Sequence, residues 1–112
     1  MRPDLTTWRP VGDSVAARLR SCHAELLLEW EAALVELRRQ YSADARRGCP
    51  LCDMVVSIYY EGECVLCPWF TFEESQCDLA KPPYDYRTPR RRIIEIGRWL
   101  KRIRAELKAR GI

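Results

Sequence analysis

Two Cys-x-x-Cys pairs, Cys49-Pro50-Leu51-Cys52 and Cys64-Val65-Leu66-Cys67, lie eleven residues apart. Two thiolates separated by two residues can grip one ion while the backbone turns beneath the sulfurs. Two such knuckles complete a tetrahedron at about 2.3 Å per sulfur. The chemistry this pattern predicts is one structural Zn2+ held by Cys49, Cys52, Cys64 and Cys67. An iron–sulfur cluster or disulfides are the other readings of the same four residues. The gap is shorter than the roughly 15–20 residues usual between zinc-ribbon pairs, so a minimal hairpin is expected between the knuckles. Cys77 is an alternative ligand or a buried thiol. Cys22 lies on an apolar helical face and reads as a core residue.

The run Cys49-x-x-Cys52, Cys64-x-x-Cys67-Pro68-Trp69, Cys77, Pro83-Tyr84 resembles a family of short proteins common in phage and prophage genomes. That family has two cysteine knuckles, a proline after the second, a later lone cysteine and a Pro-Tyr or aromatic pair. The resemblance covers about residues 49–86, a third of the chain. It implies a metal site and a viral origin, and it carries no function with it.

One pattern could be catalytic. His23-Ala24-Glu25 followed by Cys49-Pro50-Leu51-Cys52 has the residue types of a zinc deaminase, in which the Glu shuttles protons. The proline falls on the wrong side of the first cysteine, and the intervening residues read as helix where that fold needs a strand. The reading also leaves Cys64 and Cys67 without a role. His23 is the only histidine, so no other metal–histidine catalyst can be assembled. A zinc held by four thiolates has no open coordination position. A non-enzymatic protein is expected.

These side chains must be positioned by a small chain. The 112 residues suit one domain, 1–112, with a modest core that a metal or an oligomeric partner would supplement. No run approaches the about 20 apolar residues of a membrane span. The opening Met1-Arg2-Pro3-Asp4 lacks the apolar stretch of a signal peptide, so a cytoplasmic location is expected. Residues 1–12 form an arm. Over 13–47, Val15, Leu19, Cys22, Leu26, Trp30, Ala33, Leu37 and Tyr41 recur at steps of three and four, which predicts one long helix of roughly 50 Å or two with a break near Ser42. Residues 48–87 hold the cysteine module and a linker. There the β-branched run Val55-Val56-Ser57-Ile58-Tyr59-Tyr60, the turn Glu61-Gly62-Glu63 and Trp69-Phe70-Thr71-Phe72 predict a short β-hairpin. Residues 88–111 restart a helix at Thr88-Pro89, with the seam Ile93, Ile96, Leu100, Ile103, Leu107. The expected fold is mostly α: two long antiparallel helices joined by a zinc-knuckle or ribbon-like module.

Charge divides along the chain. Residues 48–87 carry seven acids against Lys81 and Arg87, a net of −5, whereas residues 88–112 carry nine bases against Glu95 and Glu106, a net of +7. On a helical wheel Arg90, Arg91, Arg98, Lys101, Arg102, Arg104 and Lys108 share one half of the last helix. Such a face can track a phosphate backbone, or be simply solvated, or be neutralised by the acidic segment. The first helix has a second apolar stripe, Ala17, Ala24, Leu28 and Val35, opposite its main face. That excess predicts a homodimer or a protein partner, unless the arm with Leu5 and Trp8 covers it. The expected function is therefore a zinc-stabilised interaction protein, a phage or prophage product acting on a host protein. Nucleic-acid binding through the basic helix is the alternative.

Overall fold

The computed structural model describes residues 9–43, 49–60, 66–73 and 89–112. The helices are α1 (Val15–Ser21), α2 (Ala24–Ala43), α3 (Pro50–Tyr59), α4 (Pro68–Glu73) and α5 (Pro89–Ala109). No strand occurs among the described residues.

The predicted β-hairpin is therefore corrected. Val55–Tyr59 lies in α3 and Trp69–Phe72 in α4. The β-branched composition favoured a strand, but Leu51, Met54, Val55 and Tyr59 also fit helical spacing, and all four are buried. Pro50 stands at the start of α3, where its missing N–H costs nothing, and Tyr60 ends it in the left-handed region at φ 59°. Burial of a helical stripe against α2 outweighs a strand propensity worth at most about 1 kcal/mol. With no strand described, a zinc-ribbon architecture loses its framework.

The long N-terminal segment is two helices, and the break falls at Cys22-His23. Ser14 opens α1, its Oγ accepting from Ala17 N at 3.1 Å. Cys22 leaves the helix in extended conformation. His23 then starts α2: its Nδ1 accepts from Glu25 N and its carbonyl from Leu27 N, both at 3.1 Å. An imidazole thus does the work of a capping hydroxyl or carboxylate.

The central pair is α2 and α5. Cys22 faces Arg110, Glu31 faces Arg104, and Arg38 lies beside Gly97, so the two helices run antiparallel. Ile96, Leu100, Ile103 and Leu107 of the predicted seam are buried, with Ile93 packed at the edge. They meet Leu26, Leu27, Trp30, Ala33, Leu34 and Leu37 of α2 in one core. Trp99 widens the α5 face toward α4. Gly111, at φ 79°, closes α5: its N–H reaches Lys108 O and that of Ile112 reaches Leu107 O, both at 3.0 Å.

Arginines fasten the short helices to this pair. Arg18 of α1 donates from Nε and Nη2 to Thr71 O of α4, at 3.3 and 3.0 Å. Arg110, directly after α5, donates to the carbonyls of Cys22, Leu19 and Arg20 at 2.7, 3.0 and 3.2 Å. These carbonyls sit at the α1 terminus, where a cation is favoured.

Candidate nucleic-acid interface and cysteine module

Helix α5 has two unlike sides. Its outer side carries the seven predicted cations, Arg90, Arg91, Arg98, Lys101, Arg102, Arg104 and Lys108, and every one is exposed. Between them stand Ile94, Ala105 and Ala109. Both acids of the helix border this side and are engaged by arginines. Glu95 accepts from Arg92, and Glu106 from Arg110 at 3.0 Å. Arg104 reaches Glu31 of α2 at 2.8 Å and Arg91 lies 3.6 Å from Glu95. Arg90, Arg98, Lys101, Arg102 and Lys108 have no ion pair among the described residues. Two further arginines border the face: Arg20 on α1, close to Arg102, and Arg38 on α2, beside Gly97. The sequence pattern did not include them, because their proximity comes only from folding.

The inner side holds Arg92, which is fully buried. Its Nη1 donates to Glu73 Oε1 of α4 and to Glu95 Oε2, both at 2.9 Å. Its guanidinium lies 4.0 Å over the Trp69 ring. Trp99 meets Trp69 edge-on at 5.5 Å and stacks on Phe72 at 5.2 Å. Arg92 thereby pins α4 to α5. The signal for it was available: Arg92 and Arg110 fall on the apolar half of the wheel.

Comparison with protein-family models, with curated proteins and with solved structures found no match to the chain.

Three of the four predicted zinc ligands are described. Cys49 caps α3 without a side-chain hydrogen bond to its first turn, and Cys52 lies in that turn, exposed. The two residues of this pair thus flank Pro50 and Leu51 at the start of one helix. Cys67 is buried directly before α4, its carbonyl accepting from Thr71 N at 3.3 Å. Cys49 and Cys67 thus each stand directly before a helix. Among the described residues no three His, Cys, Asp or Glu side chains form a group able to hold a metal ion. Cys64 and the alternative ligand Cys77 lie outside the described residues.

Cys22 is buried in the core, its Sγ donating to Arg18 O at 3.3 Å. Burial pushes its pKa to about 12, so it stays a thiol. His23 and Glu25 are taken up in starting α2.

The second apolar stripe is divided. Ala17 belongs to α1 and Ala24 begins α2, both half-buried, while Leu28 and Val35 of α2 are 37% and 38% exposed. Leu5 and Trp8 of the arm lie outside the described residues. No described helix is long and apolar enough to cross a membrane.

Proposed function

We propose that the protein is a non-enzymatic binding module that holds nucleic acid on the outer side of α5. One observation carries this reading: seven exposed cations share one side of a helix whose opposite side is core, and the helix's two acids at its border are held by Arg92 and Arg110. A solvated surface usually mixes both signs of charge. A one-signed ridge attracts a polyanion and gains from counterion release when it neutralises phosphates. Nothing on this side reads bases by a known motif, so contact with the backbone is the expected mode.

Zinc bound by Cys49, Cys52, Cys64 and Cys67 is proposed as the staple of the short helices. It would supply folding energy and no reaction chemistry. The reading rests on the spacing of the pairs and on the helix starts at Cys49 and Cys67.

A gel-shift titration with labelled duplex DNA and RNA tests the function. The triple variant Arg98→Gln/Lys101→Gln/Lys108→Gln is expected to bind roughly tenfold or more weakly than wild type. Equal binding by both proteins contradicts it.

A second reading is a protein partner, a second copy of the chain or, following the phage resemblance, a host protein, met through Leu28 and Val35. Light scattering on wild type and on Leu28→Glu/Val35→Glu separates it: a dimer lost in the double variant favours this reading.

A further inference from the structure

Between α1 and α5 lies a cleft of about 240 Å³, lined by Ala16, Leu19, Arg20, Arg102, Ala105 and Glu106. We propose that it is a phosphodiester-binding subsite at the edge of the nucleic-acid face, with Arg20 and Arg102 as its two anion contacts. This rests on the reading of α5 as the nucleic-acid face.

Charge is the first ground. Arg20 and Arg102 come from different helices and both border the cleft. Neither has an ion pair among the described residues. Glu106 is the one acid in the lining, and Arg110 already holds it at 3.0 Å. Two positive groups brought to one concavity raise the local potential for an anion. Their planar forks match phosphate oxygens in paired hydrogen bonds.

Shape is the second ground. Ala16 and Ala105 leave the space between the arginines open, where longer side chains would fill it. No aromatic residue lines the cleft. A stacked base therefore gains little there, whereas a compact oxyanion fits.

Rigidity is the third ground. The guanidinium of Arg110 grips the Leu19 and Arg20 carbonyls on one wall and Glu106 on the other. The backbone carrying Arg20 is thus tied to the helix carrying Arg102. The two backbone positions are fixed relative to each other, and only the side chains remain to be ordered on binding. Arg102 also belongs to the outer ridge of α5. A strand lying on that ridge would meet the cleft without changing direction.

The test is fluorescence anisotropy of a short labelled DNA duplex, titrated with salt, on the full chain. Arg20→Gln is expected to weaken binding about threefold to tenfold and to lower the slope of log K against log salt by about one. Ala105→Leu fills the cleft without changing charge and is expected to do the same. Both positions border solvent, and a thermal melt monitored by circular dichroism checks that each variant is folded. If both variants bind like wild type while Lys101→Gln/Lys108→Gln binds weakly, the cleft is no subsite and the α5 face stands. If wild type itself does not bind, both proposals fall.

Discussion

The α2–α5 pair and helix α4 are held by different means. Between α2 and α5 the contact is dry and repeated: Leu26, Trp30, Leu34 and Leu37 face Ile96, Leu100 and Ile103, and all are fully buried. Helix α4 spans only Pro68–Glu73, too short to be stable alone. It is fastened by Arg92 through Glu73 and Trp69, by Arg18 through Thr71, and by the aromatic contacts of Trp99. Spread apolar packing degrades gradually under substitution. A clasp of a few charged groups fails at one atom.

Metal removal should widen that contrast most. Protein purified without added metal is expected to contain about one zinc per chain by elemental analysis. Structural zinc contributes on the order of 10 kcal/mol in small metal-dependent folds. A chelator should therefore loosen the segment of α3 and α4 while much of the helical signal of α2 and α5 persists. A metal-free protein with unchanged stability would remove the staple from the account.

Arg92→Ala comes next. It strips Glu73 and Glu95 of a buried partner and leaves a void beside Trp69, at an expected cost of about 3–5 kcal/mol in urea unfolding. Arg98→Ala, on the outer side of the same helix, should stay within about 0.5 kcal/mol of wild type. Similar losses for both would erase the distinction between clasp and ridge. Leu100→Ala probes the dry seam and is expected to cost about 2–5 kcal/mol. A near-neutral result would mean that α2 and α5 do not share the core described.

Alkaline pH gives the smallest effect. Burial raises the Cys22 pKa from 9.0 to about 12, and that of Tyr59 from 10.0 to about 12. The unfolded chain releases these protons earlier than the folded one. Stability is thus complete below about pH 9 and falls as pH rises toward 12. Cys22→Ala should delay the onset of that fall to about pH 10, where unfolded Tyr59 begins to titrate. An unchanged onset in that variant would place the thiol in solvent.

The seam of α5 was legible because Ile96, Leu100, Ile103 and Leu107 repeat at helical spacing with charge on the other side. The same regularity marked all seven outer cations. The break at Cys22-His23 was not legible, since no Gly or Pro stands there and His is an uncommon helix cap. Val55–Tyr60 misled because β-branched residues fit a buried helix face as well as a strand. Arg20 and Arg38 escaped notice because only the fold brings them beside α5. Cys49 and Cys52 were legible as a pair, but their setting on the first turn of a helix was not, because a hairpin was expected to follow.

Salt dependence tests the outer side of α5 most directly. Affinity of the wild-type chain for a DNA duplex is measured across a range of salt concentrations. With about four phosphates neutralised by the unpaired cations, log K should fall against log salt with a slope of roughly −3.6. No detectable binding at low salt, or a slope near zero, would contradict the account.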